Sequence, residues 1–169
     1  MTVVVIDTNV ILVANGQHES VSPQCVSECA QRLLSIKDHG RLVLDDAYRI
    51  LLEYQKKTRP KGGKGPGDAF VKWALQVNSD PKRCDQVPIA VNASREFDSF
   101  PDDERLAMFD VDDRKFVAVS VAHPGRPPIL QATDSKWLDW APALFDAGVT
   151  IDLVCPDDIK HFRSKKSGL

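Results

Sequence analysis

The stretch Val3-Val4-Val5-Ile6-Asp7-Thr8-Asn9 decides how this chain folds, because an apolar run stops abruptly on Asp-x-Asn. A second stretch, Ile129-Leu130-Gln131-Ala132-Thr133-Asp134, has the same form and also closes on a carboxylate. Both runs predict short strands. In an open α/β sheet, ligands bind outside the carboxyl ends of the strands, so Asp7 and Asp134 are expected to converge on one place.

Strand and helix patterns alternate along the chain, which predicts a parallel sheet with helices on its faces. Ser22 and Pro23 read as the cap and first residue of a helix that runs to about Asp38 and stops at Gly40. The fold class is therefore α/β, a single-domain three-layer α/β/α sandwich with a central parallel sheet. Further strands are predicted at 41–44, 87–91 and 149–154, and further helices at 46–58, 68–77, 113–122 and from Trp137 to Gly148.

Length and composition allow one domain, since 169 residues with 43% hydrophobic and 27% charged residues suffice for a single core. We assign residues 1–155 to the domain and residues 156–169 to a basic C-terminal tail, expected to be mobile. Cys25 and Cys29 lie one helical turn apart and read as small buried residues, not zinc ligands. The start of the chain shows no signal peptide and no apolar run reaches membrane-helix length, so a cytoplasmic protein without membrane contact is expected.

Two further acids have a claim to the same sheet edge. Glu53 lies beside the apolar stripe of Ile50 and Leu51, where a purely solubilising Glu is less usual. Asp113 opens a helix that is apolar almost all round. Of the pair Asp112 and Asp113, we favour Asp112 as the helix cap and Asp113 as a ligand.

Each of these acids also has a local explanation. Asp7 and Asn9 are typical of turns, Asp134 is a common helix cap, and Glu53 can pair with Lys57 one turn later. The case rests on the set, because several carboxylates in one cleft repel one another unless a divalent cation neutralises them. Oxygen-only ligands favour Mg²⁺ or Mn²⁺.

In these four segments the chain resembles the PIN-domain ribonucleases. Val4 to Val10 looks like the family's opening motif, Leu52-Glu53-Tyr54 like its helical Glu, and Asp112 to Val119 like its third acidic motif. Gln131 to Trp137 looks like its closing Thr-Asp motif. The resemblance implies that Asp7, Glu53, Asp113 and Asp134 hold Mg²⁺ or Mn²⁺ and cleave RNA, with Asn9 and Thr133 as polar support.

The resemblance leaves two matters open. The chain is longer than the compact toxin members of the family, so an antitoxin or another inhibitory protein as partner, and a homodimer, are not decided. The alternative function is a catalytically inactive PIN-like module that binds RNA or protein. A phosphoryl-transfer hydrolase or a receiver-type domain fits less well, because the first wants a second Asp where Asn9 stands and the second wants an acidic pair.

Basic residues around a Gly-rich segment are the expected phosphate contacts. Glycine lets a backbone approach a strand closely, and Lys and Arg supply salt-dependent attraction. The alternative is a solvated, flexible loop. The segment is not a P-loop, because it follows a helix and lacks the terminal Gly-Lys-Ser/Thr. The candidate nucleic-acid contacts are Lys56, Lys57, Arg59, Lys61 and Lys64.

Overall fold

The computed structural model describes residues 1–167 and contains a five-stranded sheet flanked by helices. The strands of this sheet are β1 (Val3–Ile6), β2 (Arg41–Asp45), β3 (Cys84–Val87), β6 (Ile129–Gln131) and β7 (Ile151–Leu153). The short strands β4 (Val91–Asn92) and β5 (Glu96–Phe97) pair with each other outside it. The helices are α1 (Thr8–Ala14), α2 (Pro23–His39), α3 (Arg49–Lys57), α4 (Pro66–Val77), α5 (Arg114–Ala122), α6 (Lys136–Asp146) and α7 (Pro156–Ser167). Short 3₁₀ turns lie at Glu104–Leu106 and Val111–Asp113.

The sheet has the order β3-β2-β1-β6-β7, and every neighbouring pair is parallel. The chain leaves the central strand β1, builds outward through β2 and β3, and then returns to β6 on the other side. The strand order therefore reverses between β1 and β6, which is where open α/β sheets form their ligand crevice. The predicted α/β sandwich with a central parallel sheet is confirmed.

The core forms where the predicted strands are apolar. Val5 and Ile6 of β1 and Ile129 and Leu130 of β6 are fully buried, as expected for parallel strands covered on both faces. Helix α2 begins as predicted, because the Ser22 hydroxyl accepts the Cys25 N–H at 3.1 Å. Such a cap stabilises a helix by about 1 kcal/mol.

Helix α1 and strand β3 differ from the sequence prediction. Helix α1 follows β1 after only Asp7, and no helix was predicted there; Val10, Ile11 and Val13 are all fully buried, so this helix lacks an amphipathic period. Strand β3 ends at Val87, the residue at which the predicted strand 87–91 was expected to begin. Proline has no N–H to donate to a ladder, so Pro88 marks the end of pairing.

The predicted mobile tail is instead a helix up to Ser167; Gly168 and Leu169 lie outside the described residues. Ile159 of α7 is fully buried. A disulfide joins Cys155, just before α7, to Cys25 of α2, with the Cα atoms 5.4 Å apart. The prediction that Cys25 and Cys29 are small buried residues is confirmed, but Cys25 also forms a disulfide, and its partner lies 130 positions away, beyond the reach of a spacing argument.

Among residues 1–167, none of the helices combines the length and apolar character needed to cross a bilayer.

Candidate functional site

The site begins where β1 and β6 end side by side. Asp7 is the first residue after β1, and its N–H donates to Leu130 O of β6 at 3.0 Å. Asp134 lies three positions beyond the end of β6. The two acids that were predicted at strand ends thus follow two adjacent strands, at the point where the strand order of the sheet reverses.

Asp7 is buried, with 5% of its surface exposed, and caps α1. One carboxylate oxygen accepts the Asn9 N–H at 3.0 Å, and the other contacts the Gln131 side-chain amide. Burial is the largest influence and, with repulsion from Asp113 and Asp134, raises the pKa of Asp7 to about 7 against the opposing hydrogen bonds. Although the Asp7 carboxyl has two hydrogen-bond donors, its pKa of about 7 leaves it largely protonated below neutral pH. Its surroundings therefore lack the positive charge that would favour the ionised form.

Three further carboxylates converge beside it. Oxygen atoms of Asp110, Asp113 and Asp134 lie within 4.8 Å of one another, and all three side chains are half-buried. Burial, then repulsion from Asp134 and Glu53, raises the pKa of Asp113 to about 6. Asp110 was not predicted as a ligand, because before the 3₁₀ turn it reads only as one acid of an acidic run.

Glu53 differs from the other predicted acids. It projects from α3, accepts a hydrogen bond from the Thr8 hydroxyl, and accepts another from Lys115 Nζ at 2.9 Å. Both partners come from other elements, α1 and α5. Each oxygen of Glu53 is therefore occupied within the protein, whereas Asp110 and Asp134 each have one oxygen engaged, by Lys136 Nζ at 2.8 Å and by the Lys136 N–H at 3.2 Å.

The predicted polar support is held by a small network. Asn9 Oδ1 accepts from the Thr133 N–H at 2.8 Å and from its hydroxyl at 2.9 Å, which ties the start of α1 to the segment after β6. Gln131, fully buried, accepts the Ala132 N–H at 3.0 Å and the Asp134 N–H at 3.3 Å while its amide contacts Asp7. Gln131 was missed, although a polar residue inside an apolar strand was a usable signal.

The assignment of Asp112 as cap was wrong. The position before α5 is Asp113, and neither its side chain nor that of Asp112 makes a capping hydrogen bond. The preceding 3₁₀ turn brings the chain into α5 without a side-chain cap, and the backbone carbonyl of Asp112 accepts from Lys115. Asp112 is exposed and lines a neighbouring depression, whereas Asp113 lines the acidic cleft.

A cleft of about 570 Å³ lies at this edge of the sheet. Asp7, Glu53, Asp113, Asp134, Asn9 and Thr133, all predicted site residues, line it. Sequence reasoning missed four lining residues that come from a loop and from α7: His18, Phe162, Lys165 and Lys166. Their link to the site depends on tertiary contacts, such as the contact between the rings of His18 and Phe162, for which the sequence carries no local signal.

Of the predicted nucleic-acid contacts, Lys57 lines the acidic cleft. Lys56 and Arg59 line adjacent depressions, and Lys61 and Lys64 are exposed. The loop that carries them is closed by the Asp68 carboxylate, which accepts the Arg59 N–H at 2.8 Å and the Gly65 N–H at 3.1 Å. Asp68 therefore ties the two ends of the predicted flexible loop together.

The donor set suits a hard divalent cation. Asp7, Asp110, Asp113 and Asp134 offer only oxygen atoms, and the raised pKa values of Asp7 and Asp113 follow from burial and mutual repulsion. Lys136 Nζ lies 2.8 Å from Asp110, and Lys115 is engaged by Glu53, so local cations offset only part of the negative charge. Mg²⁺ or Mn²⁺ would neutralise the remainder through ligands of the type they prefer.

Comparison of the chain with known proteins adds no family to this picture. No protein-family model, no curated protein and no solved structure gives a significant match.

Proposed function

We propose that this protein is a Mg²⁺- or Mn²⁺-dependent endoribonuclease of the PIN type, cleaving single-stranded or structured RNA. One observation carries the proposal. Asp7, Asp113 and Asp134 converge at the strand-order reversal of a parallel sheet, where burial and repulsion raise the pKa values of the first two. Such crevices are the usual ligand sites of this architecture, and strongly shifted carboxyls concentrate at functional sites.

Asp113 and Asp134 would hold the ion, with Asp110 or Asp7 completing the oxygen set. When bound, a divalent ion lowers the pKa of an attacking water and stabilises the leaving oxygen of a phosphodiester. Phosphodiester hydrolysis of this kind requires no Ser, Cys or His nucleophile from the chain.

The chain's own residues keep the carboxylates in place. The amide of Gln131 and the N–H of Asn9 orient the Asp7 carboxylate, and the Asn9–Thr133 contacts fix α1 to the segment that carries Asp134. With pKa values raised to about 7 and about 6, Asp7 is partly protonated near neutral pH and Asp113 becomes protonated below it when no cation is bound. Both give up their protons when a cation binds, since metal ligands must be deprotonated. Lys57 at the edge of the cleft offers a charge to a substrate phosphate.

A second function is favoured by the Glu53 contacts. Lys115 and Thr8 occupy both oxygens of Glu53, so a lysine charge stands where a fully acidic site would have a free carboxylate. A catalytically inactive PIN-like module that binds RNA without cleaving it would tolerate this arrangement.

One experiment separates the two. Purified protein is incubated with end-labelled RNA, and with DNA of the same sequence, in Mn²⁺, in Mg²⁺ or in EDTA, beside the Asp7→Asn and Asp134→Asn variants. An endoribonuclease gives internal cleavage of RNA that needs the metal and disappears in both variants. Binding without cleavage in every metal would overturn the enzymatic proposal and leave the binding module.

A further inference from the structure

Helix α7 contributes a basic side to the acidic cleft. Phe162, Lys165 and Lys166 line the same cavity as Asp7, Asp113 and Asp134, and both lysines are exposed. A cleft lined with carboxylates repels a polyanionic strand, so a nucleic acid can approach only if fixed cations lie close by. Lys57 of α3 is the other lysine lining this cleft in the described part of the chain.

Several contacts, among them an ion pair between Arg163 and Asp139 of α6 at 2.9 Å, hold α7 where its lysines reach the cleft. The Cys25–Cys155 disulfide fixes the residue just before the helix to α2. The Asp158 carboxylate accepts the Ser22 N–H at 2.8 Å and the Ser22 hydroxyl at 2.8 Å. Phe162 contacts the ring of His18, with centroids 5.5 Å apart. The start and the middle of the helix are thus anchored, and the lysines lie on its last turns.

We propose that α7 is a disulfide-anchored arm that binds the phosphate backbone of a single-stranded nucleic acid through Lys165 and Lys166, beside the carboxylates. This inference deepens the proposed function and rests on it for the chemistry that follows binding. The disulfide acts on position, since it limits how far the helix can move from α2. Breaking it weakens strand binding and leaves the carboxylates unchanged.

A third cysteine adjoins this anchor without disturbing it. Cys29 Sγ lies 3.8 Å from Cys155 Sγ, and burial raises the pKa of the Cys29 thiol to about 12. A protonated thiol is a poor nucleophile, so internal exchange with the disulfide is slow. Opening the anchor requires an external dithiol: its thiolate attacks one sulfur, the Cys25–Cys155 bond breaks, both cysteines end as thiols, and the reductant becomes a disulfide.

The test measures binding separately from cleavage. An Asp7→Asn chain in EDTA is titrated against a fluorescent single-stranded RNA of mixed sequence at several salt concentrations. Lys165→Gln with Lys166→Gln is compared with Lys72→Gln plus Lys160→Gln, a control pair that also removes two exposed charges but lies outside the cleft. We expect the first pair to weaken binding by about an order of magnitude, and to flatten the slope of log K against log salt by roughly 0.7 per lost contact.

The anchor is tested in the same assay. Cys25→Ser with Cys155→Ser, and the Asp7→Asn chain reduced by a dithiol, should each bind RNA several-fold more weakly and show faster amide hydrogen exchange in residues 156–167. Cys84→Ser, a buried free cysteine elsewhere in the sheet, is the control and should bind like the parent. Equal binding with the disulfide open or closed would remove the anchor from the proposal.

The outcomes separate this inference from the proposed function. An unchanged salt slope in the Lys165 and Lys166 variant, an equal loss in the control pair, or no RNA binding by the parent would each overturn the arm, whether or not the wild-type protein cleaves RNA. Loss of binding in that variant together with absent cleavage by wild type would uphold the arm and overturn the nuclease.

Discussion

Asp7 and Asp68 are both buried carboxylates near the first turn of a helix, yet their acidities are shifted in opposite directions. Burial alone would raise the pKa of Asp68, but the backbone N–H groups of Arg59 and Gly65 and the Asn15 amide lower it below its ordinary value. Asp7 also has two donors, but burial together with Asp113 and Asp134 raises its pKa to about 7. Hydrogen-bond donors therefore mark a structural carboxylate, and unbalanced acidic neighbours mark a candidate site.

The contrast reflects what each region is built to hold. Asp68 closes the loop before α4 by collecting donors from both ends of it. Asp7 is held rigidly by Asn9 and Gln131 and faces other acids across a cleft. The first region is complete without a ligand, whereas the second gains most from a cation.

The largest expected effect is on catalysis. Asp7→Asn and Asp134→Asn should each reduce metal-dependent RNA cleavage to the background level, since each removes a carboxylate from the acidic set. The metal-free variants should melt at or above the wild-type temperature because repulsion is relieved, and stabilisation by Mg²⁺ should shrink. Asp68→Asn is the matched control and should keep its cleavage activity. Cleavage by both site variants at high Mn²⁺ would contradict the assignment.

The largest loss of stability is expected at Asp68 and not in the acidic cleft. Asp68→Ala leaves three donors without their acceptor, from Arg59, Gly65 and Asn15, and should cost about 2–4 kcal/mol in the free energy of unfolding. Urea denaturation at neutral pH measures the loss, with the exposed Asp46→Ala as control. A cost no greater than that of the control would show that the loop closes without this carboxylate.

The two carboxyls should also have opposite signs in the pH dependence of stability. The folded pKa of Asp7 lies above its unfolded value, so its contribution makes the metal-free protein less stable as pH rises from about 4 to about 7. The effect should amount to a few kcal/mol at most, and Asp7→Asn should remove it. Asp68, with its lowered pKa, stabilises the protein above its unfolded pKa and loses that contribution as pH falls below it. Melting temperatures from about pH 2 to about pH 7 test both, and an Asp7→Asn profile identical to wild type would refute the first.

The smallest effect concerns the basic residues. Lys57→Gln should raise the KM for RNA several-fold with little change in kcat, because a contact made equally in ground and transition states affects only binding. Lys61→Gln with Lys64→Gln should change KM less, since these lysines are exposed on a loop whose contacts are internal. A larger rise in KM for the Lys61 and Lys64 variant than for Lys57→Gln would show that the loop contacts the substrate instead.

The sequence predicted the sheet and the acids at its edge for a physical reason. An apolar run ending on an acid reports both the strand and the location of the side chain, so the pattern alone was enough to place Asp7 and Asp134 together. Helix α1 could not be found in this way, because only Asn9 and Leu12 are half-buried and its other residues are buried, which leaves no clear amphipathic period. The position of α7 could not be predicted either, because it is tied by the Cys25–Cys155 disulfide and no local pattern links residues 130 positions apart.

Glu53 and Asp110 show what sequence patterns could not predict about the cleft. Periodicity placed Glu53 at the edge of a buried face, but its occupation by Lys115 and Thr8 depends on how α3, α5 and α1 pack. Asp110 belongs to the acidic group through a turn whose shape is set by the chain around it. Sequence patterns located the cleft, and tertiary packing selected which carboxylates remain open in it.

The central claim is that the Asp7 and Asp113 carboxyls exchange protons for a divalent cation. Calorimetric titration with Mn²⁺, in buffers of different ionisation enthalpy and from about pH 5 to pH 8, counts the protons released on binding. We predict that wild-type protein releases protons and binds Mn²⁺ more tightly as pH rises through about 6 to 7, and that Asp7→Asn releases fewer. Mn²⁺ binding that is absent, or that is independent of pH and of Asp7, would contradict the account.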